Sequence, residues 1–104
     1  MAIKELQDSD FSSFISKGNT IIDFHAEWCG PCKMMEPQFK KASDELHDVR
    51  FGKVDVDKEY ELAGKFQVMS IPTTLFFKNG EMVDRHSGAM TADMIKRKAK
   101  EAFG

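Results

Sequence analysis

Between Thr20 and Ala26 the chain reads Thr-Ile-Ile-Asp-Phe-His-Ala, a run that is mostly β-branched and apolar. Such a run suits a strand buried on both faces, because neither of its alternating sides is set aside for solvent. A strand of this kind needs covering layers above and below it, and the segments around it supply them. Before it, Asp8 is placed to cap a helix over Ser9 to Ser16, with Phe11, Phe14 and Ile15 on one face and Gly18 as its stop. A short strand over Ala2 to Leu6 precedes that helix. After the buried run a long helix is expected from Cys29 or Cys32 to His47, then a strand from Arg50 to Val56. Lys58 to Phe66 carries Leu62, Ala63 and Phe66 at helical spacing. Strands over Thr73 to Phe77 and Glu81 to Ser87 flank Lys78-Asn79-Gly80, and Asn-Gly between strands is a strong hairpin signal. Thr91 caps a last helix to about Ala102, with Asp93 in its first turn and Lys96, Arg97, Lys98 and Lys100 toward its end, an order that suits the helix dipole.

The resulting order, βαβαβαββα, predicts an α/β fold: a mixed sheet closed by an antiparallel hairpin, with helices on both faces. No repeat, low-complexity stretch or linker divides the chain, so residues 1–104 are expected to form a single domain. Fifteen basic against 17 acidic side chains leave a net charge of −2, which argues against nucleic acid as a partner. No apolar run approaches the roughly 20 residues of a membrane span. The start, Met-Ala-Ile-Lys-Glu-Leu-Gln-Asp-Ser-Asp, has no apolar core of a signal peptide. The expectation is a cytosolic (cytoplasmic) monomer that binds neither nucleic acid nor membrane.

The two cysteines, Cys29 and Cys32, sit three apart. A bridge across so small a loop adds only about 2 kcal/mol in the chain-entropy model, and a chain with this many apolar residues does not need it. A cytosolic pair at this spacing points to catalysis or metal binding instead. Trp28-Cys29-Gly30-Pro31-Cys32-Lys33 follows the buried strand directly and opens a helix. There Cys29 would meet unpaired backbone N–H groups and the positive end of the dipole, which favour its thiolate. Cys32 falls one turn on, on the same face. Gly30 permits a tight entry, and Pro31 fits the first turn. Cys29 would attack a disulfide, and Cys32 would then attack Cys29 and release the reduced product. Zinc is the competing reading, but it wants four ligands; there is no second cysteine pair, and His25, His47 and His86 are scattered. No metal is expected.

Asp23 to Pro37, Lys53 to Lys58 (Lys-Val-Asp-Val-Asp-Lys), Ser70 to Gly80 (Ser-Ile-Pro-Thr-Thr-Leu-Phe-Phe-Lys-Asn-Gly) and Ser87-Gly88-Ala89 together resemble the thioredoxin family, in order and spacing through nearly the whole chain. The resemblance implies a five-stranded mixed sheet flanked by four helices. It also implies a dithiol reductant of disulfide-containing client proteins, without a cofactor of its own, recharged by a thioredoxin reductase. Gly-Pro between the cysteines matches the reducing branch; glutaredoxins usually carry Pro-Tyr there and the isomerases Gly-His. An idle binding module is the alternative of another class, and an isomerase or oxidase is a third.

Asp23 lies inside an apolar strand, where burial should raise its pKa. A carboxyl titrating near neutrality beside Cys32 could take that thiol's proton, and the resemblance gives the Asp matching Asp23 this role, with the Lys matching Lys53 beside it. The bland alternative is an Asp at a strand edge that caps something. The resemblance further implies a cis Ile71–Pro72 bond packed against the cysteines, with Ile71 offering its backbone to an extended substrate segment. Trp28, Gly30, Pro31, Ile71, Pro72, Gly88 and Ala89 would form a flat apolar docking surface. Trp28 packed in the core, Gly88 as a strand end and Pro72 as a simple turn are the dull readings. Met34 and Met35 are expected to pack within the helix, and Pro37 to kink it, since proline removes an interior bond.

His25 departs from the family, which usually has Trp, Tyr or Phe there, an aromatic that often reaches the Asp matching Asp57. Paired with Asp57, His25 would hold its proton more tightly and tune the dithiol; simply buried, it would stay neutral and fill space.

Overall fold

The computed structural model describes residues 3–104, so Ala2, the expected start of the first strand, lies outside the described residues. The elements are β1 (Lys4–Glu5), α1 (Asp8–Ile15), β2 (Asn19–His25), α2 (Gly30–Glu45), β3 (Val49–Asp55), α3 (Tyr60–Lys65), β4 (Thr73–Lys78), β5 (Glu81–Ser87) and α4 (Ala92–Phe103). They form one five-stranded sheet in the order β1-β3-β2-β4-β5. β1 and β2 run parallel to β3, while β4 is antiparallel to both β2 and β5. The mixed sheet and four helices match the expectation. Among the described residues no helix is long and apolar enough to cross a membrane.

The apolar run is the central strand. From Thr20 to Phe24 every residue of β2 is buried. Ile21 points to the layer of α2 and α4, among Met35, Phe39 and Ile95. Ile22 and Phe24 point the other way, among Phe11, Leu62 and Phe77. Alternation therefore places Asp23 and His25 on the α2 side with Ile21.

Element ends move by a few residues, each for a local reason. Gln7, not Asp8, is the N-cap of α1, and its N–H donates to the Asp10 carboxylate at 2.7 Å. Asp8 instead adds negative charge inside the first turn, where the dipole favours it. Helix α3 starts late because the N–H groups of Lys58 and Glu59 both turn back to the Asp55 carbonyl, at 3.2 and 2.8 Å. Pro37 lies within α2, which continues past it to Glu45. The hairpin forms where Asn-Gly predicts it, with Asn79 and Gly80 at φ +50° and +87°. Its tip is tied to the chain after α1: the Asn79 N–H donates to the Gly18 carbonyl and the Gly18 N–H to Asn79 Oδ1.

Three segments meet at one end of the sheet. β2 ends there at His25, β4 begins there beside Phe24, and Thr73 of β4 pairs with Ser87 at the end of β5.

Candidate active site

Cys29 and Cys32 are joined as a disulfide, with Cα atoms 5.2 Å apart. Cys29 is the N-cap of α2, extended at φ −86°, and Pro31 stands in the first turn as its missing N–H allows. The Cys32 N–H points at Cys29 Sγ from 3.2 Å. That donor, one of those a helix start leaves unpaired, is aimed where negative charge on Cys29 would develop. An attacking Cys29 is expected to be exposed and Cys32 more buried, but in the bonded form Cys29 is 4% accessible and Cys32 5%, so burial does not distinguish the two.

The loop before β4 closes over the pair. The Ile71–Pro72 peptide is cis. Ile71 packs against Cys29, Cys32 and Ala26, and its carbonyl oxygen lies 3.9 Å from Cys29 Sγ. The Gly88 N–H donates to the Pro72 carbonyl at 2.8 Å, which holds the end of β5 beside that loop. Gly88 takes φ +105°, a conformation that suits a residue without Cβ. Around the disulfide, Trp28, Gly30, Pro31 and Ala89 are exposed, Ile71 and Gly88 half-buried, and Pro72 buried. Trp28 is 70% exposed, so it is a surface residue and no part of the core. Of the two methionines expected to pack, Met35 does, but Met34 is 75% exposed.

Behind the disulfide a cleft of about 610 Å³ opens between α2 and the sheet. Asp23, Cys32, His25, Lys53 and Glu36 line it. Asp23 sits on the central strand, 5% exposed, which rules out a strand-edge cap. Its register partner is Lys53, so the two share a face. Burial pushes the Asp23 carboxyl up to about 7; Lys53 pulls against this, and Glu36 adds to it. Glu36 escaped the sequence reading. Its signal was there, since it follows Cys32 by four residues and must share that helix face. Among the described residues no group of three or more His, Cys, Asp or Glu is arranged to hold a metal ion.

The pairing of His25 with Asp57 does not occur. Trp28 takes that place, its indole N–H donating to Asp57 Oδ2 at 2.7 Å. The Asp57 N–H in turn donates to the Asp55 carboxylate at 2.9 Å. His25 is half-buried, with its Nε2 buried and without a hydrogen-bond partner among the described residues. Burial first, and Lys53 second, hold its pKa below the ordinary imidazole value, against the opposing pull of Asp55, Glu5 and Glu36.

Comparison with known proteins gives a consistent answer. The family model described as Thioredoxin matches residues 2–101. The chain is 42% identical over 95 residues to a thioredoxin of Chlamydia caviae, covering 91% of this chain and 93% of that one. It is 46% identical over 89 residues to a thioredoxin of Bacillus subtilis, covering 85% and 86%. The crystal structure of Malassezia sympodialis thioredoxin superposes with a TM-score of 0.89 at 32% identity, over 100% of this chain and 96% of that one.

Proposed function

This chain belongs to the thioredoxin family and is a protein-disulfide reductase, a thiol–disulfide oxidoreductase, and we propose a division of labour among its residues. The Cys29 thiolate attacks one sulfur of a client disulfide, and the other client sulfur leaves as a thiolate. Cys32 then gives its proton to Asp23 and attacks Cys29 Sγ. The second client sulfur leaves, and the Cys29–Cys32 disulfide closes, so two electrons have passed to the client. A thioredoxin reductase returns them. Lys53 limits how far the pKa of Asp23 rises, and keeps part of it ionised near neutral pH. Trp28, Gly30, Pro31, Ile71, Pro72, Gly88 and Ala89 receive the client, and the Trp28–Asp57 bond fixes the indole. The protein acts as a cytosolic monomer.

The observation that carries this reading is the cleft that Asp23 shares with Cys32, whose lining includes neither Trp28 nor Gly88. A base there can serve the second thiol without blocking the surface where a client meets the first. The direct test is reduction of a protein disulfide by dithiothreitol. The wild type is expected to accelerate it and Cys29→Ser to give only the uncatalysed rate. Equal rates for the two proteins would leave a docking module with idle thiols.

His25, on this reading, is a neutral ring that fills the place of the family's aromatic. His25→Phe is therefore expected to leave the pH dependence of the redox potential unchanged from about pH 6 to 8, a range that includes the ordinary imidazole pKa. A change of slope in that range in the wild type, lost in His25→Phe, would restore a charged, tuning histidine.

A further inference from the structure

Asp23 has a second neighbour that the reaction scheme leaves idle. The strand register sets one residue from each strand in a row across the sheet: Glu5, Lys53, Asp23, Thr74 and His86. Residues directly opposite one another share a face, with Cβ atoms about 4.5–5.5 Å apart. Lys53 flanks Asp23 from β3 and Thr74 flanks it from β4. Thr74 is 0% exposed and Asp23 5%. Thr74 Oγ1 and Asp23 Oδ1 are both buried, and neither has a hydrogen-bond partner among the described residues.

A buried hydroxyl without a partner is costly, and valine would fill the same shape without that cost. Thr73, one residue earlier, shows the ordinary use of such a group: its Oγ1 donates to the Ser70 carbonyl at 2.6 Å. Thr74 has no comparable bond, yet it stands beside a buried carboxyl that must be charged for part of each cycle. We propose that the Thr74 hydroxyl is the hydrogen-bond donor for ionised Asp23, making Thr74 a positioning residue that holds the base ready for the Cys32 proton. A turn of the Thr74 side chain about χ1 between staggered positions would carry its hydroxyl toward the neighbouring carboxylate. Once Asp23 is protonated the bond is released. The catalytic clause rests on Asp23 being the base for Cys32; the hydrogen bond itself does not.

The other groups facing Asp23 act from different sides. Lys53 attracts its charge from β3, and Glu36 on α2 repels it. Cys32 and His25 line the same cleft, with Glu5, Asp55, Lys33 and Lys58 around it. His86 lies beyond Thr74 in the row. Thr74 is the uncharged donor that can reach the carboxylate from the closed side.

The test is a carboxyl NMR titration of Asp23 in the full-length disulfide form. Thr74→Val, which keeps the shape and removes the donor, is expected to raise the Asp23 pKa by about one unit, a tenfold loss of ionised fraction below that pKa. Thr74→Ser, which keeps the donor, is expected to stay near the wild type. An unchanged or lowered pKa in Thr74→Val overturns the proposal. So does an equal rise in both variants, because packing of the methyl group would then be the cause. Resolution of a mixed disulfide by Asp23→Asn is measured alongside. If that rate is unchanged, the base assignment fails by itself, while the titration still decides whether Thr74 serves the charge.

Discussion

Cys32→Ser is expected to accumulate covalent complexes with disulfide-bearing proteins and Cys29→Ser to accumulate none, although both should lose turnover. The asymmetry comes from the start of α2. The Cys32 N–H is aimed at Cys29 Sγ from 3.2 Å, so charge on Cys29 is met by a donor already in place. Cys29 also lies 3.9 Å from the Ile71 carbonyl, at the loop where an extended client segment would lie. Cys32, one turn on, faces the cleft behind it. Removing Cys32 therefore leaves the first attack intact and abolishes the second, so the mixed disulfide persists until an external thiol releases it. Removing Cys29 takes away the attacking sulfur. The complexes are counted on non-reducing gels after mixing each variant with a disulfide-bonded protein. Equal yields from the two variants would mean that Cys32 is also an entry nucleophile, and the order of attack would be wrong. Accessibility cannot carry this distinction, since the two residues differ by one percentage point in the bonded form.

What could be read from the sequence was whatever short-range chemistry decides. The run Thr20 to Ala26, Asn79-Gly80 and the Cys29–Cys32 spacing each signal through neighbours a few residues apart, and each lies where expected. Alternation along β2 also put Asp23 and His25 on one face. The partner of Asp57 could not be reached this way. Trp28 sits in the turn after β2, where no period fixes a side chain's direction, and it took the bond expected of His25. Met34 and Met35 show the same limit on a helix: adjacent residues point about 100° apart, and the contact with Phe39 and the sheet decides which is buried. Thr74 needed the register of β2 against β4, a long-range fact that no local pattern contains. Even so, Glu36 and Thr74, which only the structure brings to Asp23 and Lys53, come from segments that the sequence had already assigned to the correct elements.

Asp23→Asn is expected to slow resolution of the mixed disulfide by about a hundredfold or more at pH 7, the usual contribution of a positioned base, while leaving its formation nearly unchanged. Only the second step needs Cys32 to lose a proton. The deficit should shrink as pH approaches the ordinary thiol pKa of about 8.5, where Cys32 ionises without help. The same substitution should change stability in the opposite sense. Asp23 titrates at about 7 in the folded protein against an unfolded value of 3.8. Between these values the folded chain holds a proton that the unfolded chain has lost, so stability falls as pH rises through that window and then levels off. Asparagine removes this dependence. Asp23→Asn should match the wild type below about pH 4, gain on it through the window, and be more stable by on the order of a few kcal/mol above pH 7. Urea unfolding at pH 4, 6 and 8 measures the gain, and single-turnover release of a trapped client measures the rate. A variant that slows both chemical steps alike at every pH would place Asp23 in the packing of the site. A stability gain without loss of resolution would show a buried acid retained for some other purpose. The expected result is both together: a charge costly to keep in the core, held there because the second thiol needs a base.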